Sequence, residues 1–447
     1  MNISKHELLK RFGLVGIGLF AAMTLVAAPA DDWRGYDLVG HTDKEALSYR
    51  SGEEMVFTLK LIGEKDSLPE GDWRIRWSRT GDDGAGETNT IPAELGRPLA
   101  IRTKLDRPGF VQVLAEVVDA HGRLARKRQG GDNRVFFDGG AAVEPRKLRG
   151  LEEPKDFDAY WKRQMEALAA VPVEAERKQV GEDDKVTVYA VRVKCAGPRP
   201  LTGYLTVPKG AKGGRRYPAE VVYMCYGEYV PRAPRSGSTE MVQLITNAHG
   251  LELEQPASYY AAFWPTIRGR SGRYAFNPDE NAKPDTCYFR GMALRAARAL
   301  EYMKTLPEWD GVHLRTQGGS QGGLQAIWGA ALVPGVTHAE PVIPWMCDIG
   351  GYTEGRLRAI WPMEYLPGLA YYDAAFHGKR IPECCSVKIR RANLGDYISP
   401  PSGIAILYNG IRGPKTVKWC QGCTHTAGTR SDHMDEIVWN DGYTEGK

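Results

Sequence analysis

The stretch RTQGGSQGG, residues 315–323, decides the fold that this sequence predicts. A short apolar stretch precedes it, and the run that follows, QGGLQAIWGAALV, is typical of a helix. Residues 318–322 read GGSQG and fit the pattern G-x-S-x-G, which requires a strand before it and a helix after it. That turn is strained and closely packed, so glycine is needed where a side chain would clash. We predict that Ser320 is a nucleophile; the alternative is a glycine-rich turn without a catalytic role.

The sequence around this turn alternates between short apolar runs and amphipathic helical patterns. A helix opens the region at PKDFDAYWKRQMEAL, and two runs, VTVYAVRVKC and LTGYLTVPKG, predict antiparallel strands. Short buried strands are predicted at AEVVYMCYG, YAAFWPTIRG, GVHLRTQGG and HAEPVIPWM, and helices at YFRGMALRAARALEYMKTL and QGGLQAIWGAALV. Residues 146–447 are therefore expected to form a mostly parallel sheet with helices on both faces, an α/β domain.

Residues 31–145 follow a different pattern. Apolar and polar residues alternate in EMVFTLKLIG, DWRIRWSRT, FVQVLAEVVD and NRVFFDGG, and Gly, Asp and Pro turns separate these runs. A period of two without helical segments predicts a small antiparallel β-sandwich of the immunoglobulin-like kind. It holds no cluster of catalytic residue types, so we interpret it as a structural or spacer module, with carbohydrate binding as the alternative.

The first thirty residues have the pattern of a secretory signal peptide. Lys5, Lys10 and Arg11 precede the apolar run LVGIGLFAAMTLVAA, which ends in a small-residue cleavage pattern at residues 28–30. The run is shorter than the roughly 20 residues that a spanning helix needs, although an uncleaved anchor is the alternative. We expect cleavage after Ala30, a secreted or periplasmic location and no membrane span in the mature protein.

Composition excludes several classes of partner and leaves the cysteines open. There are 59 basic and 55 acidic residues, a net charge of +4, and no dense Lys/Arg cluster, so nucleic acid is not an expected partner. All eight cysteines lie after residue 194: Cys195, Cys225, Cys287, Cys347, Cys384, Cys385, Cys420 and Cys423. One C-x-x-C without a second ligand pair favours disulfides or buried thiols over zinc.

A serine nucleophile needs a base, and the base needs an orienting acid. In this fold the chain order is Ser, acid, His, which leaves His338, His377, His425 and His433 as candidates. His338 comes too early, His377 precedes the expected acid, and His433 is placed at the start of a last helix where a surface role is ordinary. His425 follows the strand pattern KTVKWC in a loop of small residues, and it is the predicted base.

Three aspartates compete for the role of the acid. Asp396 lies in VKIRRANLGDYISPPSG, where a strand ends and a proline-initiated helix begins. Asp348 and Asp373 are its rivals, but Asp373 precedes the strand, so a structural or capping role fits it better. We therefore predict Asp396 as the acid.

Together these residues resemble the acetyl xylan esterase and cephalosporin C deacetylase family, carbohydrate esterase family seven, of the α/β-hydrolase superfamily. The likeness covers roughly residues 150 to 435 and rests on PKDFDAYWKRQMEAL, on YFRGMALRAARALEYMKTLPEWDGVHLRTQGGSQGG, on YYDAAF and on GDYISPPSG. The resemblance implies Ser320 as nucleophile, Asp396 as acid and His425 as base. It also implies an oxyanion hole from the backbone N–H groups of Gln321 and Glu228.

The sequence departs from the family in several places. Residues 226–228 read Tyr-Gly-Glu where relatives have His-Gly-Tyr, so a carboxylate near the pocket mouth can alter the choice of substrate. Thr426 and Ala427 replace a glutamate-like residue after the histidine. The β-domain and the signal peptide put the ring-shaped oligomer of the family in doubt, and the oligomeric state stays open.

The resemblance implies an acetylesterase that acts on acetylated oligo- or polysaccharides through an acyl-enzyme, with no metal or organic cofactor required. Trp345 and Trp361 follow the nucleophile and can stack on a sugar ring, although large aromatic side chains are more often part of a core. The alternatives are another hydrolase on the same scaffold, such as a peptidase or a longer-chain esterase, and an inactive secreted glycan-binding protein.

Overall fold

The computed structural model describes residues 33–127, 133–361, 363–426 and 435–445. The predicted signal peptide, Ala427 and His433 lie outside these residues.

The described residues form seventeen strands and seven α-helices. The strands are β1 Tyr36–Thr42, β2 Glu54–Gly63, β3 Trp73–Gly81, β4 Gly86–Pro92, β5 Pro98–Lys104, β6 Gly109–Asp119, β7 Phe136–Val143, β8 Ala175–Glu182, β9 Val186–Val193, β10 Leu201–Pro208, β11 Tyr217–Tyr223, β12 Val242–Asn247, β13 Trp309–Gly319, β14 His338–Val342, β15 Ser386–Asn393, β16 Lys415–Cys420 and β17 Glu436–Asp441. The helices are α1 Phe157–Ala169, α2 Ala257–Ile267, α3 Pro278–Asn281, α4 Tyr288–Lys304, α5 Gln321–Leu332, α6 Ala374–Gly378 and α7 Pro401–Gly410.

Strands β1–β7 form two small sheets, which we call the β-region. One sheet has the order β1-β2-β5 and the other has the order β4-β3-β6-β7, with antiparallel neighbours throughout. The predicted alternation is visible in β2 and β3, where every second side chain is buried. Strands β6 and β7 are buried along nearly their whole length, because one face meets the other small sheet and the other face meets the second half of the chain.

The chain from β8 to β17 contains a ten-stranded mixed sheet with helices. Its order is β17-β16-β15-β14-β13-β11-β12-β10-β9-β8. Neighbours from β12 through β16 run parallel, whereas the strands towards both edges are antiparallel. The predicted α/β class and the antiparallel pair β9-β10 are thereby confirmed.

Two local predictions are wrong, and one strand was not predicted. The run YAAFWPTIRG is helix α2 instead of a strand, because a short apolar run cannot be assigned by periodicity alone. The strand that borders β11 is β12, VQLITN, which the sequence reasoning missed. The expected last helix in RSDHMDEIVW is also wrong for its described end, since Glu436–Asp441 is strand β17 paired with β16.

Three further findings bear on the expectations from composition. None of the helices in the described ranges is long and apolar enough to cross a membrane. The eight cysteines, all within those ranges, carry thiols and form no disulfide with one another. Among the residues that the structure describes, no cluster of three or more histidine, cysteine or acidic side chains has the arrangement of a metal site.

Candidate active site

The turn between β13 and α5 places Ser320 in a strained backbone conformation, with φ 52° and ψ −115°. Such a conformation costs on the order of 1–3 kcal/mol for a residue with a side chain. Glycine is required at two positions: a Cβ on Gly318 would lie 2.4 Å from the backbone of Gly322, and one on Gly322 would lie 2.2 Å from the carbonyl oxygen of Tyr223. Gly319 faces open space, so packing does not require the second glycine of the first pair.

Ser320, His425 and Asp396 meet in one hydrogen-bonded series. The Oγ atom of Ser320 lies 3.0 Å from Nε2 of His425, and Nδ1 of His425 lies 2.7 Å from Oδ2 of Asp396. Each residue follows the carboxyl end of a parallel strand, β13, β16 and β15 respectively, and these ends share one edge of the sheet. The arrangement allows the carboxylate to accept the Nδ1–H and the other ring nitrogen to accept the serine proton.

The carboxylate of Asp396 is fully buried and held from two sides. Its Oδ1 atom accepts the backbone N–H groups of Ile398 and Ser399, both at 2.8 Å, which leaves Oδ2 for His425. These bonds form because the chain turns sharply between β15 and α7, where Pro400 and Pro401 start the helix. The aspartate therefore presents one fixed oxygen to the imidazole.

The rival aspartates have structural roles. Asp373 accepts the N–H of Ala375 at the start of α6, as its predicted capping role requires, and also the N–H of Asp348. Burial raises the pKa of Asp373 to about 7, with the nearby charge of Asp348 adding to the shift. Asp348 itself forms an ion pair with Arg356 at 2.6 Å.

The rival histidines within the described residues lie elsewhere. His377 is completely buried, contacts the carbonyl oxygen of Tyr371 through Nε2 at 3.0 Å, and has a pKa that burial lowers to about 3. His338 is the first residue of β14, and its Nδ1 contacts the neighbouring Thr337 hydroxyl.

The two backbone segments that the resemblance implies for an oxyanion hole are Gln321 and residues 226–228. Gln321 begins α5, and the first N–H groups of a helix have no partner within the helix. Residues 226–228 follow β11, and the N–H of Gly227 is engaged, since it donates to the hydroxyl of Tyr274 at 3.1 Å. The N–H of Glu228, which the resemblance implies as a donor, is the next one along this segment.

The sequence reasoning missed two residues that fix this segment, Tyr274 and His249. The Tyr274 hydroxyl donates to Oε1 of Gln321 at 3.0 Å, so it connects residues 226–228 to the first residue after the nucleophile. Nε2 of His249 lies 3.0 Å from the carbonyl oxygen of Gly227, and its Nδ1 lies 2.8 Å from the hydroxyl of Tyr288. No local motif marks either residue, because their partners are distant in the sequence.

Burial lowers the pKa of His249 to about 4. The ring is therefore neutral at neutral pH, with Nε2–H donating to Gly227 and Nδ1 accepting the Tyr288 proton. An unfolded histidine takes up a proton below about pH 6.5, whereas this one resists protonation down to about pH 4, so its contribution to the free energy of unfolding falls across that interval.

The variant His249→Gln tests this assignment. Between about pH 7 and pH 4, we expect the stability of the wild type to fall by about 3 kcal/mol more than that of the variant, because glutamine has no proton to gain. Urea unfolding at a series of pH values measures the free energy of unfolding of both proteins. The contributions of buried acids are the same in both and cancel in the difference. The exposed His41→Gln serves as control, and equal pH trends in the wild type and His249→Gln would contradict the assignment.

The carboxylate of Glu228 is not a lone charge at the pocket mouth. Arg268 holds it in a two-pronged ion pair, with Nε 2.7 Å from Oε1 and Nη2 in contact with Oε2. A bidentate pair fixes the carboxylate geometrically, so Glu228 is paired with Arg268 and is not a free carboxylate.

Aromatic side chains pack against Tyr226, the first residue of the 226–228 segment. The Tyr226 ring stacks on Tyr274 with centroids 4.3 Å apart and meets the edge of Trp361 at 4.5 Å. Trp345 is 1% exposed and packs in the core, 5.2 Å from Trp361. Of the two tryptophans that the sequence suggested for sugar stacking, Trp361 is half-buried, whereas Trp345 is fully buried.

Comparison with known proteins finds acetyl esterases among the matches. A family model described as acetyl xylan esterase matches residues 146–245 and 279–354. An acetyl esterase of Xylanibacter ruminicola is 28% identical over 279 residues, which are 59% of this chain and 62% of that relative. The chain thus spans less than two thirds of the length of this curated relative.

Two solved structures share the fold at lower identity. The acetyl xylan esterase from Paenibacillus sp. R4 has a TM-score of 0.51 and 23% identity, covering 64% of this chain and 94% of its own. Acetyl xylan esterase 1 from Thermoanaerobacterium sp. JW/SL YS485 has a TM-score of 0.52 and 20% identity, and the match covers 65% of this chain and 94% of that protein. The family model and the curated relative confirm the resemblance to acetyl xylan esterases that the sequence showed.

Proposed function

We propose that this protein is a serine carboxylic ester hydrolase of the α/β-hydrolase type that removes acetyl groups from acetylated carbohydrates. The observation that carries the proposal is the hydrogen-bonded series from Ser320 through His425 to Asp396, with distances of 3.0 and 2.7 Å. The similarity to acetyl esterases supports the same chemistry, because the matched family model and the curated relative are both named for acetyl ester hydrolysis.

Acylation is the first of two steps. Nε2 of His425 takes the Ser320 proton while Oγ attacks the acetyl carbonyl carbon, and the negative charge moves to the carbonyl oxygen. The N–H groups of Gln321 and Glu228 are the proposed donors to this oxyanion, and each such donor is worth about 3 kcal/mol in the transition state. The imidazolium then gives its proton to the sugar oxygen, so the C–O bond breaks and an acetyl-enzyme remains.

Deacylation repeats the sequence with water in place of the sugar. His425 takes a proton from water, the hydroxide adds to the acetyl carbonyl, and Ser320 leaves with the proton returned by the imidazolium. Acetate is released and the free serine is restored. Asp396 keeps the ring oriented throughout and stabilises its positive charge.

Substrate class is inferred from the surroundings of Ser320. Tyr226 and Trp361 are half-buried and pack together next to the segment Gly227–Glu228, and aromatic faces suit the apolar face of a sugar ring. The predicted signal peptide at residues 1–30 would carry the enzyme out of the cytoplasm, to where polysaccharide substrates occur.

The test is acetate release from a panel of acetylated oligo- and polysaccharides, measured beside aryl esters of increasing acyl length and a peptide substrate. We expect acetate release from at least one glycan, aryl acetate cleaved faster than longer acyl esters, and no peptide cleavage. A preference for long acyl chains or for peptides would assign another hydrolase activity. Sugar binding without acetate release from any substrate would instead identify a glycan-binding protein and reject the proposal.

A further inference from the structure

The loops that carry Asp396 and His425 lie against the β-region, which the sequence reasoning treated as a spacer. Gln112 on β6 is 0% exposed, and its Nε2 donates to the backbone carbonyl oxygens of Leu394 and Asp396, each at 3.0 Å. One amide group therefore joins the chain on both sides of Gly395. Because an amide NH₂ has two hydrogens, both are used by the loop that carries the acid.

A second glutamine fixes the segment that leads to the base. Gln421 follows β16 and lies four residues before His425; its Oε1 accepts the N–H of Gly140 and its Nε2 donates to the carbonyl oxygen of the same residue, both at 2.8 Å. The side chain is 2% exposed and pairs with β7 much as a strand would. Two bonds to one residue restrict both the position and the direction of the segment.

The backbones of the two parts are in close contact at this place. A Cβ on Gly395 would lie 2.4 Å from the backbone of Asp138, and one on Gly140 would lie 2.7 Å from the carbonyl oxygen of Leu394. The ring of Phe110 on β6 lies 5.7 Å from that of Trp419 on β16. Neither loop can shift towards the β-region without meeting backbone or aromatic rings.

Asp138 of β7 is a second buried carboxyl group near the acid. Desolvation raises its pKa well above the ordinary value, and the charge of Asp396 adds to the shift. Burial therefore favours the neutral form of Asp138, the form that adds no second negative charge near Asp396.

We propose that the β-region positions the catalytic acid and base, with Gln112 acting on Asp396 through the loop backbone and Gln421 acting on His425 through its bonds to β7. This inference rests on the proposed function, because the geometry matters only if the two residues work on a substrate. Gln112 and Gln421 are positioning residues, since neither contacts the reacting atoms. Misplacement of a catalytic group by about 1 Å lowers rates about 100-fold.

The test compares Gln112→Leu with Gln421→Met, both of which keep side-chain volume but remove the hydrogen bonds. On an aryl acetate at a temperature well below unfolding, we expect kcat to fall roughly 10- to 100-fold while KM changes less than about threefold. Arg102→Leu is the matched control: its side chain is 64% exposed on β5, remote from the two loops, and its kcat is expected to be unchanged.

A proton NMR measurement separates positioning from general destabilisation. The Nδ1–H of His425, held by the carboxylate of Asp396, is expected to give a downfield resonance that moves upfield or broadens in Gln112→Leu and stays unchanged in Arg102→Leu. Folded Gln112→Leu and Gln421→Met with wild-type kcat and an unmoved resonance would overturn the proposal. If one variant fails to fold, the other decides the outcome alone.

The same measurements distinguish failure of this inference from failure of the proposed function. A wild type that cleaves no acetyl ester contradicts the esterase function, whereas the resonance still reports whether Gln112 and Gln421 hold the His425–Asp396 pair. An active wild type with unaffected glutamine variants contradicts the inference alone.

Discussion

Ser320→Ala is expected to lower kcat for acetyl ester hydrolysis by roughly 10⁶-fold, to a residual rate that oxyanion donors and binding alone sustain. The substitution removes the atom that forms the acetyl-enzyme, so His425 is left without the hydroxyl that it contacts at 3.0 Å. Binding of the acetylated glycan is expected to persist, since the aromatic surface at Tyr226 and Trp361 is unchanged.

Acetate release and a separate binding measurement on the same glycan check this prediction. Ser48→Ala is the matched control, because its hydroxyl is exposed on the β-region and bonds only to the nearby carbonyl oxygen of Glu45 among the contacts described. A Ser320→Ala protein that retains more than a few per cent of wild-type activity would exclude the acyl-enzyme route through this serine.

Asp396→Asn is expected to lower kcat roughly 10⁴-fold with little change in fold. The N–H groups of Ile398 and Ser399 both donate to the Oδ1 position, so the oxygen of an asparagine must occupy it and the NH₂ group must point to His425. The ring then presents the lone pair of Nδ1 to that NH₂ and carries its proton on Nε2. A protonated Nε2 cannot accept the Ser320 proton.

Steady-state kinetics with circular dichroism and thermal unfolding check this second prediction. Asp310→Asn is a closely matched control, because Asp310 contacts Nδ1 of His313 at 2.8 Å in a similar pair at the surface. We expect wild-type kcat from this control. A loss of less than about tenfold in Asp396→Asn would indicate that another group orients His425.

Local sequence patterns predicted the elements whose conformation is determined by residues close to them in the sequence. The turn at Ser320 could be predicted because its glycines are required by close contacts. A Cβ on Gly318 would clash with Gly322 in the same turn, and a Cβ on Gly322 would clash with the adjacent strand β11. Strand β2 could be predicted because one face is buried and the other is not, which produces strict alternation.

The misassigned elements are those whose burial comes from distant parts of the chain. Helix α2 is rich in aromatic residues on several sides, so its apolar run carries no clear helical period. Strand β12 contains polar residues whose hydrogen-bond partners lie on neighbouring strands. Gln243, for example, donates to Glu220 on β11 at 2.7 Å. Neither cause is visible in a short window of sequence.

The support around the site was missed for the same reason. Asp396 and His425 stood out because each follows a strand pattern, and the chain order of the motif limited the choices. Gln112 and Tyr274 have no such marker, since Gln112 reaches partners 282 and 284 positions away and Tyr274 reaches one 47 positions away. A glutamine inside an otherwise apolar strand was the one available signal.

The bonds between Gln112 and the acid loop also bear on how the molecule is assembled. The β-region can complete its two sheets as soon as residue 143 has been synthesised, yet the amide of Gln112 has no partner until residues 394–396 exist. Contacts of such long sequence separation form late, because a large loop must close before they bring any gain. We therefore expect the full rate to be reached only after the acid loop has docked on the β-region, and chains with both sheet systems formed but without this contact to show the reduced kcat of Gln112→Leu.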